Sequence, residues 1–178
     1  MTDIFTRATL TTQRLLLTPF ATAHAADLNA IDNEPEVMQF LSKGTPKTLD
    51  ETRERIDSVR KRWENHGYSW WTVSLRSTGH IIGAACAQHT ANIPTAEIEI
   101  GWRLATAATG HGYATEAGLA AARYIFQNTN ASHVIAVAHP DNINSHRVMQ
   151  RIGMTYRGIE THYNEPCTTY VLHRSDLS

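Results

Sequence analysis

The spacing of apolar residues changes several times along the chain, and each change predicts an element. Leu15, Leu16 and Leu17 form a short apolar run ended by Pro19, which predicts a strand over 13–19. From 23 to 41 the spacing is helical and Pro35 breaks it, predicting two short helices with a turn between them. Thr48 and Glu51 have capping-box spacing, so a helix opens there. Leu49, Ile56, Val59 and Trp63 mark one face of that helix, and Gly67 ends it. Its other face carries Arg53, Arg55, Arg60, Lys61 and Arg62, the pattern of a solvated face rather than a binding patch. Beyond Gly67 the period becomes two. Strands are predicted over 69–76 and 80–89 as a hairpin turning at 77–79, with a third over 95–104. A glycine-bearing segment at 108–112 leads into an Ala-rich helix over 112–127, with Ala114, Ala117, Ala121, Tyr124 and Ile125 on one face. The unbroken apolar run in 133–138 predicts a buried central strand. A helix over 142–152 stops at Gly153, and strands over 154–162 and 167–173 complete the order.

This order predicts a mixed sheet with helices on its faces, with a right-handed parallel crossover spanning 95–138. No repeat, low-complexity tract or linker divides the chain. One domain over 13–176 is therefore expected, preceded by a polar, Thr-rich extension over 1–12 lying loosely on the surface. The 178 residues are 42% hydrophobic and 19% charged, which is globular composition. Sixteen basic residues against seventeen acidic give a net charge of -1, which excludes a strongly basic nucleic-acid binder. No apolar run approaches a membrane span, and the first ten residues lack a signal peptide's apolar core. Cys86 and Cys167 form neither a disulfide framework nor a metal-ligand spacing, and none of the ten His has metal spacing. A cytoplasmic protein without nucleic-acid, membrane or metal partners is expected.

Candidate chemistry concentrates in 97–126. A strand runs into a turn with Gly110 and Gly112, and a helix starts there. A helix N-terminus presents unpaired N–H groups and positive dipole, suited to phosphate oxygens. Glycines let backbone approach a ligand closely, Ala114 is small, and Thr115 places a hydroxyl in the first turn. The same glycines also suit a plain strand-to-helix turn. A P-loop would need a Lys that is absent, and the dinucleotide fingerprint would need glycine where Thr115 stands. Glu97 and Glu99 alternate with Ile98 and Ile100, so both carboxylates lie on one strand face. That is the pattern of a half-exposed strand, or of a pair held for function. Asn142 and Ser145 have the residue types and place of helix caps. Cys86 lies on an apolar strand as a core residue. Trp70 and Trp71 point to opposite strand faces.

Together these segments resemble a known family. Thr109-Gly110-His111-Gly112-Tyr113-Ala114-Thr115-Glu116-Ala117 is similar to the acyl-CoA pyrophosphate loop of the GNAT superfamily of N-acetyltransferases. EIGWRL, TGHGYATEA and HPDNINSHRVMQRIGM together resemble the branch related to the ribosomal-protein N-terminal-alanine acetyltransferases RimJ and RimL. RLLLTPF at 14–20, the segment at 34–37 and WWTVSL at 70–75 fit it as well. The resemblance implies an α/β (α+β) fold: a mixed, mostly antiparallel central sheet, helices on both faces, and a splayed parallel strand pair that holds acyl-CoA. It implies transfer of an acetyl group from acetyl-CoA to a primary amine by direct attack in a ternary complex. Backbone at Trp102, Arg103 and Leu104 would receive the pantetheine arm, aided by Asn142. The segment Thr109, Gly110, His111, Gly112, Tyr113, Ala114 and Thr115 would receive the pyrophosphate. Glu99 is the implied base, with Glu97 the weaker candidate, and Ser145 would sit near the sulfur. Three positions depart from the pattern. Thr109 replaces a Gln or Arg, His111 replaces a Lys between the glycines, and Met149 replaces a tyrosine acid. The acceptor is an amine of a protein N-terminus, a polyamine-like metabolite or an antibiotic, selected by the 23–67 helices and the 156–170 hairpin. A monomer or homodimer is compatible with the family. A non-catalytic acyl-CoA-binding module on the same fold is the alternative.

Overall fold

The computed structural model describes residues 4–41 and 44–177. One eight-stranded sheet runs through it. Its spatial order is β1 (Leu10–Thr11), β2 (Leu15–Pro19), β3 (Trp70–Leu75), β4 (Ile81–His89), β5 (Ile98–Leu104), β6 (His133–Ala138), β8 (Glu165–His173) and β7 (Thr155–His162). Every neighbouring pair is antiparallel except β5–β6. The helices are α1 (Ile4–Arg7), α2 (Ala25–Asp32), α3 (Pro35–Leu41), α4 (Leu49–His66), α5 (Tyr113–Asn128) and α6 (Ile143–Ile152). This is the expected mixed α/β architecture, with the crossover from β5 through α5 to the parallel strand β6.

The two sheet faces carry different contents. Strand alternation sends Ile100 and Trp102 toward α5, where a Cβ at Gly118 would stand 2.9 Å from the Trp102 ring. Ala117, Ala121, Ala122 and Ile125 bury the sheet-facing side of α5. The opposite face carries Glu99, Gly101 and Arg103, and α2 covers its far end, where Asp32 meets Arg103. Thr48 caps α4 as its sequence predicts: its Oγ1 accepts from Glu51 N–H at 3.2 Å, and Glu51 Oε2 accepts from Thr48 N–H at 2.7 Å. The helix ends at Gly67, left-handed at φ +78°. Trp63 of α4 is fully buried, edge-on to Trp71 at 4.9 Å, and donates its indole N–H to the Trp70 carbonyl at 3.0 Å.

Two expectations are corrected. Residues 4–12 are docked rather than loose. Ala8 is fully buried, its carbonyl accepts from the Trp71 indole at 2.8 Å, and β1 pairs with β2. Residues 1–3 lie outside the described residues. The arginine face of α4 is also only partly solvated. Arg60 donates to the Phe20 carbonyl at 3.0 Å, and Arg55 lies over the Trp70 ring beside Asp32. These contacts come from segments distant in sequence, which the helical pattern of α4 does not display.

Candidate active site

The site starts from a gap in the sheet. β5 and β6 pair at Glu99 and Ile135, and β5 then runs on to Leu104 and β6 to Ala138 without further pairing. On the other side of β5, Thr90 N–H donates to Glu97 O at 3.0 Å and Ala105 N–H to Ile82 O at 2.9 Å. Backbone groups alternate sides along an antiparallel ladder. Positions 99, 101 and 103 therefore bond to β4, while Trp102 and Leu104 turn their N–H and C=O toward the gap. Arg103 stands apart from its two neighbours. Its backbone belongs to the β4 ladder, and its buried guanidinium is paired with Asp32 and lies 4.5 Å from the Trp70 ring centre.

Below the gap the chain turns through Thr106–Ala108 into the glycine segment. Thr109 Oγ1 donates to the Thr106 carbonyl at 2.8 Å. Gly110 and Gly112 are both left-handed, at φ +79° and +80°, which explains glycine there. Gly112 is the N-cap of α5 and brings no side chain to cap it. The first-turn N–H groups of Tyr113, Ala114 and Thr115 thus lack intrahelical acceptors. The Thr115 hydroxyl is buried and has no partner. Orphan amides and side-chain-free turns are the features a phosphate-bearing ligand needs.

One cation at this loop is not announced by the sequence pattern. Arg14, at the entry to β2, donates to Glu116 Oε2 at 2.7 Å and to the His111 carbonyl at 2.9 Å. Its guanidinium lies 4.6 Å from the Tyr113 ring centre, and the exposed His111 ring stacks on that same tyrosine. Thr12 Oγ1 and Arg14 N–H both donate to Glu116 Oε1. The loop is tied to the first strands by these bonds. His111 stands where the resembled pattern has a lysine, and the charge of Arg14 beside it is balanced by Glu116.

The two acids of the β5 segment have separate fates. Glu97 accepts two bonds from Arg157 of β7, at 2.7 and 2.9 Å, and one contact from His133 of β6 at 2.7 Å. Arg157 first, with His133, holds its carboxyl down to about 2. Glu99 is 8% exposed, and burial pushes its carboxyl up to about 7. Its Oε2 accepts from the Tyr163 phenol at 2.5 Å, which opposes that rise. A buried carboxyl that titrates near neutrality can take or give a proton under ordinary conditions. Tyr163 sits in the turn between β7 and β8. Its polar neighbours in sequence, His162 and Asn164, give no signal of this contact.

At the start of α6, Asn142 Oδ1 accepts from Ser145 N–H at 3.2 Å, a cap of the usual kind. Ser145 lies in the first turn of that helix, and Met149 is buried in the core. Cys86 is fully buried beside Gly101, where burial pushes its thiol well up and leaves it a packing residue. Trp70 and Trp71 are both buried in the core, and Trp70, on the Glu99 face, donates to Gln88 Oε1 at 2.9 Å. Among the described residues, no cluster of three His, Cys, Asp or Glu could hold a metal, and no helix is long and apolar enough to cross a membrane.

Comparison with known proteins agrees with this architecture. The model of the acetyltransferase (GNAT) domain matches residues 14–155. An uncharacterized protein of Bacillus subtilis, YkkB, is 31% identical over 78% of this chain and 79% of its own length. The FsC-acetyl coenzyme A-N(2)-transacetylase of Aspergillus fumigatus is 27% identical over 88% of this chain and 68% of its own. The crystal structure of an acetyltransferase from Agrobacterium tumefaciens superposes with a TM-score of 0.79 at 28% identity, covering 93% of this chain and 94% of that one. The chain belongs to the GNAT acetyltransferase family.

Proposed function

We propose that this GNAT protein is an acetyl-CoA-dependent N-acetyltransferase of the RimJ/RimL-like branch, acting on a primary amine by direct attack in a ternary complex. The observation that carries the reading is the gap between β5 and β6, with a buried, near-neutral carboxyl at Glu99 where it opens. Backbone groups of Trp102 and Leu104 receive the pantetheine arm, and the Gly110–Thr115 segment with the first turn of α5 receives the pyrophosphate. Acetyl-CoA supplies the thioester carbonyl. An N–H of the β5 edge donates to that carbonyl oxygen as charge develops on it. Glu99 takes the proton that the amine must lose as the C–N bond forms and the C–S bond breaks. Ser145 stands by the departing sulfur.

The acceptor is an amine whose entry lies between α2, the Trp70 face and the β7–β8 hairpin. A second reading, a non-catalytic acyl-CoA-binding module, is favoured by one observation: Met149 has no proton to give. Replacing Glu99 separates the two, since an enzyme loses turnover and keeps affinity for acetyl-CoA.

Calorimetric titration with acetyl-CoA, with NADH beside it, tests the site. Saturable binding of acetyl-CoA alone is expected. Gly112→Asp sets a carboxylate against the pyrophosphate position and a Cβ into a left-handed turn, so binding is expected to vanish. Unchanged affinity in that variant would remove the loop from the site.

A further inference from the structure

The β7–β8 hairpin is the last part of the sheet, yet it reaches back past β6 to both acids of the β5 segment. Arg157 takes Glu97 through two parallel bonds, and Tyr163 takes Glu99. The turn that carries Tyr163 has two residues, and both Tyr163 (φ +55°) and Asn164 (φ +62°) are left-handed. Such turns are normally built from Asn and Gly, and a tyrosine there is uncommon. Hairpin geometry gives no reason for tyrosine at this position. The bond to Glu99 does.

We propose that Tyr163 is a positioning residue for Glu99: its phenol fixes Oε2 and favours the ionised carboxylate, the form that takes a proton from the acceptor amine. This role rests on the transferase reading above. The pairing of the two groups does not.

Two effects compete at the Glu99 carboxyl. Burial disfavours the Glu99 charge, and a hydrogen bond donated to the charged form favours it. The other groups around Glu99 leave that contest to Tyr163. Cys86 of β4 and Cys167 of β8 are thiols pushed up by burial, so both stay neutral. Arg103, four residues along the same strand face, is held by Asp32. Glu97 and Glu160 are both bonded to Arg157, His133 contacts Glu97, and His162 lies 3.3 Å from Glu160. The Tyr163 phenol is itself pushed well up, first by burial and then by the Glu99 charge, and remains a neutral donor.

The test is a pH titration of the full chain with carbon-13 glutamate carboxyls, comparing wild type with Tyr163→Phe. The Glu99 signal is assigned by its loss in Glu99→Gln. The midpoint is expected to move upward by roughly one pH unit in Tyr163→Phe. The acid limb of kcat/KM for acetyl transfer is expected to move by the same interval. That makes the variant about tenfold slower below the limb and nearly unchanged above it. A midpoint that stays or falls overturns the pairing. A uniform loss at every pH, with the limb in place, overturns the positioning role. A raised midpoint with no acetyl transfer by wild type at any pH overturns the transferase reading and the proton-transfer role with it, while the pairing stands.

Discussion

At the residue scale, burial and the Tyr163 phenol pull Glu99 in opposite directions, and burial prevails. The folded chain therefore holds the Glu99 proton up to about pH 7, whereas an unfolded glutamate releases it near 4.5. Stability contributed by that proton is complete below the unfolded value and is lost as pH rises through 7. Glu99→Gln removes the charge but keeps the shape. It is expected to be more stable than wild type at pH 8, by about 3 kcal/mol, and to show no gain at pH 4. Acetyl transfer in the same variant is expected to fall roughly a hundredfold. Thermal unfolding at the two pH values, beside a turnover assay, reads both. Period-two spacing was enough to put Glu97 and Glu99 on one face. It did not separate them, because their partners Arg157 and Tyr163 lie about 60 residues further along, on a hairpin whose curl over the sheet has no local signal.

At the element scale, strands and helices were legible because their patterns are local: capping at Thr48, the left-handed stop at Gly67, and the apolar run of β6. What holds one element to the next was not legible. Asp32 ends α2, and it binds Arg103 of β5 through Nε and, at 3.0 Å, Nη2. Arg55 of α4 closes on the same carboxylate. Side chains of Asp32 and Arg103 are 11% and 4% exposed, so this is a desolvated pair. Arg103 sits between two positions of backbone interest, and sequence alone assigns it their role. Its side chain instead pins the helix layer to the central strand. Asp32→Ala leaves a buried guanidinium without its counter-charge, and a loss of about 3–5 kcal/mol is expected by urea unfolding. Asp32→Asn, which keeps one acceptor, is expected to lose less.

At the scale of the whole molecule, the sheet is two plates. β1 to β5 form one, and β6, β8 and β7 form the other. A single rung at Glu99 and Ile135 joins them, helped by the Arg157–Glu97 clasp and by the α5 crossover. The order of elements in sequence foretells the crossover, but not where the ladder stops. A ladder fails when two strands diverge, and divergence depends on packing on both faces at once. A ligand that lies in the gap and bonds to both edges would act as a missing rung. Saturating acetyl-CoA at a hundred times its Kd is expected to add about 2.7 kcal/mol to unfolding. Amide exchange is expected to slow along β6 and at Trp102 and Leu104 more than along β2 or β3. The seam also has a mechanical meaning. A wedge placed in it would brace the two plates against each other, adding to the rung at Glu99 and Ile135 and the Arg157–Glu97 clasp that already cross it.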